Sequence, residues 1–119
     1  MKLSVLVLLL AFIPNFIMGR EARETARIEH LLKTVESMVG ASFIRSGSEY
    51  DPKAAAQHLR MKLDKAGERV QTAEDFIEGC ATRSYLTGDM YKIRLPNGTT
   101  VESGKFLREK LQAFDPSKN

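Results

Sequence analysis

Charge stops at Lys2 and does not return until Arg20, and the stretch between, Leu3 to Met18, is apolar except for Ser4, Pro14 and Asn15. This partition leaves a leader and about a hundred residues with which to build a fold. A continuous membrane span needs about 20 apolar residues, and Pro14 ends or kinks any helix formed here. A short basic start, an apolar run and the small residue Gly19 together predict a signal peptide over residues 1–19, cut near Gly19. Ile17 at the third position back departs from the A-x-A form, so an uncleaved anchor stands as the alternative. Ala22 is a weaker alternative cut. With no cysteine near the cut, lipid attachment is excluded. The expectation is export to the periplasm or beyond, with no stable membrane insertion after processing.

The 119 residues support one domain. Its single cysteine, Cys80, cannot form an internal disulfide or complete a cysteine-based metal site. Stability therefore rests on the hydrophobic core. Without Lys2 the remainder carries 17 basic and 15 acidic side chains. Their signs alternate, as in Glu21-Ala-Arg-Glu-Thr-Ala-Arg27, where a nucleic-acid binder would show a clustered basic stripe. A solvated mixed-sign surface and no nucleic-acid partner are expected.

The patterns predict a mainly helical α+β domain over 20–115, with a loose tail over 116–119. Ile28, Leu31, Leu32, Val35, Met38 and Val39 share one face of a helix from Arg20 to Met38 that Gly40 stops. Ala41–Arg45 reads as one short strand closed by Ser46-Gly-Ser48. Asp51-Pro52 starts a second helix with a buried stripe of Ala55, Leu59, Leu63 and Ala66. Thr72 and Asp75 resemble a capping box opening a third helix, with Phe76, Ile77 and Cys80 inward and fraying near Arg83 or Ser84. Met90–Leu95 alternates as a half-buried strand, and Pro96-Asn97-Gly98 turns it into a hairpin returning over Thr99–Glu102. Ser103 is expected to cap a last helix carrying Phe106, Leu107, Leu111 and Phe114. The chain thus predicts about four helices, a short strand and a small antiparallel hairpin.

Four blocks of the chain resemble a known family. They are Phe43-Ile-Arg-Ser-Gly-Ser-Glu-Tyr50, His58-Leu-Arg-Met-Lys-Leu63, Thr72-Ala-Glu-Asp-Phe-Ile77 and Ser84-Tyr-Leu-Thr-Gly-Asp-Met-Tyr91. In order and spacing they are similar to the YfeK-like family of small exported bacterial proteins, over nearly the whole of 20–115. Ser46 departs from the pattern, which has a residue such as Asn before Gly47. The resemblance implies a bacterial envelope setting. As a domain of unknown function, the family implies no activity, cofactor or partner.

No constellation of side chains names a reaction. His58 lies at the border of its helix's apolar stripe, one turn before Lys62, where it can act as a general base if a partner orients it. The same position suits a boundary histidine bonded to backbone. His30 and His58 sit on different helices without metal-ligand spacing, and Glu49 with His58 makes too few ligands, so no metal and no cofactor are expected. Cys80 reads as core. The Ser84–Tyr91 segment, with the Thr87 hydroxyl, Gly88 and its backbone amides, can hold an anion or can simply cap a helix end. Tyr91 carries a hydroxyl that needs a partner. Arg45 can grip a carboxylate or phosphate in the Arg45–Tyr50 loop, or pin that loop through Glu49 or Asp51.

Three readings follow. The first is a non-enzymatic binding module for a polar or anionic envelope ligand or protein, using Arg45, Glu49, Tyr50, His58, Lys62, Ser84, Thr87, Gly88 and Tyr91. The second is a small hydrolase or transferase with His58 as base and Ser48, Ser84 or Thr87 as nucleophile. The third is a structural accessory held at the membrane by an uncleaved leader.

Overall fold

The computed structural model describes residues 19–115. The leader, Gly19 apart, and the tail 116–119 lie outside the described residues. Among those described, no helix is long and apolar enough to cross a membrane. The element order is α1 (Ala22–Glu36), β1 (Ser42–Arg45), β2 (Ser48–Tyr50), α2 (Pro52–Ala66), α3 (Ala73–Cys80), β3 (Lys92–Arg94), β4 (Thr100–Glu102) and α4 (Ser103–Phe114). A mainly helical α+β fold is therefore present.

The helices form where their apolar spacing and caps dictate. Ile28, Leu31, Leu32 and Val35 of α1 are buried. The helix ends at Glu36, two residues before the expected limit, and Val39 beyond it is 88% exposed rather than part of the core face. Gly40, at φ +87°, turns the chain towards β1, and a Cβ there would press on Pro96 at 3.4 Å. In α2 the Asp51 carboxylate accepts from the Ala54 amide at 2.8 Å, with Pro52 in the first turn. Thr72 and Asp75 form the reciprocal capping box of α3. That helix stops at Cys80, short of Arg83, because the Thr82 hydroxyl donates to the Ile77 carbonyl at 2.6 Å and Arg83 bridges Met90 in extended backbone. Ser103 is the first residue of α4, not its cap. It is buried, and its amide donates to the Tyr91 carbonyl at 3.0 Å.

The larger departure is the sheet. Ser46 and Gly47 are a two-residue turn, with φ of +49° and +84°, that folds Ser48–Tyr50 back on β1. Positive φ at both turn residues is the hairpin geometry matched to strand twist. The expected single strand is thus a hairpin, and four antiparallel strands run in the order β2-β1-β3-β4. Ser48-Glu49-Tyr50 is too short and polar to show alternation, so only pairing with β1 makes it a strand.

Register across the sheet decides which side chains meet. Tyr50 pairs with Phe43, Phe43 with Ile93, and Ile93 with Val101, a row on one face that packs against the helical core. Residues alternating with this row face the other way. There Glu49 accepts from Arg94 at 2.8 Å and from the Ser42 hydroxyl at 2.7 Å.

The mixed-sign segment Glu21–Arg27 is not wholly a solvated surface. Arg27 and Glu24 are buried. Arg27 donates to Glu24, Glu74 and Asp115, tying α1 to the start of α3 and the end of α4. Glu24 also accepts from the Ala73 amide at 2.9 Å, so it caps α3 as well as serving α1's first turn.

Candidate functional site

Where the β1–β2 hairpin leans over α2, the inner face of the sheet and three helices leave a half-open cleft of about 50 Å³. Its floor comes from the apolar stripes: Val35 of α1, Leu59 of α2, Ile93 of β3, Leu107 of α4 and Ala81 beyond α3. Its mouth holds Arg45, Tyr50, His58, Lys62 and Tyr91. Period-2 alternation brings Arg45 to the face of Phe43, and Tyr91 to the face of Ile93. The helical i,i+4 spacing of His58 and Lys62 aims both at the same opening.

The mouth is organised as two cation–tyrosine pairs. Lys62 Nζ donates to the Tyr91 hydroxyl at 2.6 Å and lies 4.7 Å from the ring centroid. Arg45 donates to the Tyr50 hydroxyl at 2.9 Å, with its guanidinium 5.2 Å from that ring centroid. Each tyrosine hydroxyl thus accepts from a cation that lies close to its own ring. The expected pinning of Arg45 by Glu49 or Asp51 does not occur, since Glu49 belongs to Arg94 and Asp51 to the α2 cap.

Of the other arginines, Arg20 and Arg69 donate to the backbone carbonyls of Val70 and Lys65 and meet no carboxylate among the described residues. Arg23, Arg27, Arg60, Arg83, Arg94 and Arg108 each meet a carboxylate. Among the described residues, neither Arg45 nor Lys62 has one within ion-pair distance. With one hydrogen bond each to a neutral hydroxyl, both keep donors to spare.

His58 packs edge-on to Tyr50, with ring centroids 5.1 Å apart. Burial, and then the positive charges of Arg45 and Lys62, hold its proton affinity below the usual imidazole range. The neutral ring is therefore favoured at pH 7. Ser48, Ser84 and Thr87 lie outside the cleft lining and make no hydrogen bond with it.

Ser84, Thr87 and Gly88 sit in a separate exposed turn. Four of its amides are engaged: Ser84 N–H donates to the Asp89 carbonyl at 2.8 Å and Gly88 N–H to the Ser84 carbonyl at 2.9 Å. The Thr87 and Asp89 amides donate to the Ser84 and Thr87 hydroxyls. An anion nest at this turn would find no vacant amide among these four. Thr87 instead meets the Ser46 hydroxyl at 3.3 Å, linking the turn to the β1–β2 hairpin. Of the nine candidate residues, Arg45, Tyr50, His58, Lys62 and Tyr91 converge. Glu49, Ser84, Thr87 and Gly88 do not.

Cys80 is buried away from the cleft lining, and burial pushes its thiol up. His30 stacks on Phe114 with ring centroids 4.1 Å apart. Among the described residues no group of three or more His, Cys, Asp or Glu side chains is placed to hold a metal ion. Sequence reasoning overlooked Ser103, which lines the cleft because α4 begins where β4 ends. The floor residues were legible only as core, since nothing in a helical stripe marks which of its members border a void.

The family model described as a family of unknown function, DUF5329, matches residues 22–115. A relative from Salmonella typhimurium, named Uncharacterized protein YfeK, is 37% identical over 70 residues, covering 59% of this chain and 58% of the relative. The match thus spans less than two thirds of the relative's length. No solved structure matches.

Proposed function

The chain belongs to DUF5329, a family of unknown function, and from that premise we propose that it is an exported, non-enzymatic binding module for an anionic ligand of the bacterial envelope. The observation that carries the binding reading is the pair Arg45 and Lys62, held at the mouth of an apolar cleft without a carboxylate partner among the described residues. A charged side chain kept beside an apolar cavity is stabilised by a counter-charge, and a bound anion supplies one. Export rests on the Leu3–Met18 pattern and Gly19.

The hydrolase alternative needs a nucleophile oriented by His58, and none of the three hydroxyls considered reaches the imidazole. Native mass spectrometry of the purified protein, exposed to a small-molecule extract of the envelope, tests the binding reading. The native chain gains adducts that Arg45→Ala and Lys62→Ala variants of unchanged melting temperature lose. Identical adducts on all three, or none on any, overturn it. The intact mass of protein recovered from the envelope tests export: processed protein lacks residues 1–19, and an unprocessed mass supports the membrane-held alternative.

A further inference from the structure

We infer that the ligand of this cleft is a small monoanion with an apolar body, a short-chain carboxylic acid in its ionised form, with its carboxylate between Arg45 and Lys62 and its chain on the apolar floor. The inference rests on the binding reading above and gives it a ligand class.

Three features select this class. The first is the lining: Val35, Leu59, Ile93 and Leu107 offer only hydrocarbon to anything seated between them. A sugar or other polyhydroxylated anion would bury hydroxyls there without partners, which costs binding. The second is charge. The two cations at the mouth each donate to a tyrosine hydroxyl, Arg45 to Tyr50 and Lys62 to Tyr91. That leaves donors suited to a single planar anion, while the tyrosine hydroxyl protons are themselves available to a ligand oxygen. Burial and the two cations favour the neutral His58 ring, so the imidazole adds little to the local charge to be balanced. The third is size. The cleft offers about 50 Å³, and a water-sized group needs about 10–15 Å³ by the same measure. Roughly four such groups fit inside, enough for the body of a short chain whose head lies at the open mouth.

Each donor has a structural reason to be where it is. Lys62 is positioned by α2, whose Asp51 cap and Pro52 fix the helix start. Arg45 is positioned by the tight Ser46-Gly47 turn, which holds β2 and Tyr50 beside it. The head-group site uses Arg45 of β1 and Lys62 of α2, whereas the floor also draws on α1, β3 and α4, so charge recognition and chain recognition can be separated by mutation of individual side chains.

Isothermal titration of the processed protein with four probes tests the inference: hexanoate, hexan-1-ol, acetate and inorganic phosphate. Hexanoate should bind about tenfold tighter than hexan-1-ol, from charge-assisted hydrogen bonding. It should exceed acetate by up to about two hundredfold, from the four additional methylenes if all are buried. Lys62→Met should weaken hexanoate binding and so reduce the preference for hexanoate over hexan-1-ol, and Lys62→Arg should restore it. Hexan-1-ol equal to hexanoate refutes the head-group assignment. Acetate or phosphate equal to hexanoate refutes the apolar body. If no probe binds while envelope adducts still depend on Arg45 and Lys62, the carboxylate class is wrong and the binding reading stands. If neither probes nor adducts depend on those residues, both fall.

Discussion

Replacing Arg27 by methionine should be among the most destabilising single changes at a polar position of this domain. The side chain is 6% exposed and reaches three carboxylates: Glu24 at 2.8 Å, Glu74 at 2.9 Å and Asp115 at 2.8 Å. Their worth is unequal. Glu74 is 62% exposed, so solvent screening limits its pairing to about 1 kcal/mol or less. Glu24 and Asp115 are 10% and 13% exposed, and removing one partner of such a buried pair costs about 3–5 kcal/mol. Asp115, at the end of α4, can turn to water when released, and Glu24 retains Arg23 and the Ala73 amide. The lower limit, about 3 kcal/mol, is therefore expected. For a domain of this size each kcal/mol moves the melting temperature by roughly 4–8 °C, giving a fall of about 12–24 °C. Urea unfolding followed by circular dichroism measures the loss directly, with an unchanged slope. Arg27→Met with Glu24→Gln should cost less than the sum of the two, because the amide oxygen still caps Ala73 without a stranded charge. A loss below about 1 kcal/mol, or strict additivity of the two changes, would show that the cluster is not the electrostatic tie between α1, α3 and α4 described above.

Three further outcomes follow from local geometry. Ser46→Asn should raise stability by about 0.5–1 kcal/mol in the same urea assay, because Ser46 sits at φ +49° where asparagine is better tolerated; an unchanged midpoint would refute the strain argument. Gly104→Ala should destabilise despite a helix-propensity gain of up to about 1 kcal/mol, since the added Cβ would lie 2.8 Å from the Thr82 hydroxyl oxygen, and Thr82→Ala should relieve most of the cost. His58 should titrate below 6.5 in an NMR series. Its folded proton affinity is depressed, so the unfolded chain binds the proton more readily, and stability falls as pH drops below about 6.5 towards the folded value. His58→Gln should remove that part of the slope, and an imidazole titrating above 6.5 would reverse the sign.

The sequence by itself determined the helices, and for a definable reason. A 3.6-residue apolar period, an Asp-Pro start and a Thr-x-x-Asp box act over a few residues, so α1, α2 and α3 and most of their buried faces are legible without knowledge of the rest. The same locality explains the errors at helix ends. The Thr82 hydroxyl bond that closes α3 and the Tyr91 carbonyl that receives the Ser103 amide are features of the folded chain. Strand β2 is a stronger case, because Ser48-Glu49-Tyr50 has no pattern of its own and exists through its register with β1.

The candidate site divides in the same way. Arg45, His58, Lys62 and Tyr91 stood out as side chains needing partners, but which partner each has depends on tertiary contacts. Strand alternation sends Tyr50 inward and Glu49 out to Arg94, although the two are adjacent in the chain. Burial of Arg27 against Glu24 and Asp115 likewise could not be read from a segment whose charges alternate as a solvated surface does. Local periodicity decides which residues form an element. Only the meeting of elements decides which charges are neutralised inside the protein, and here that meeting leaves Arg45 and Lys62 at the mouth of an apolar cleft with no carboxylate partner among the described residues.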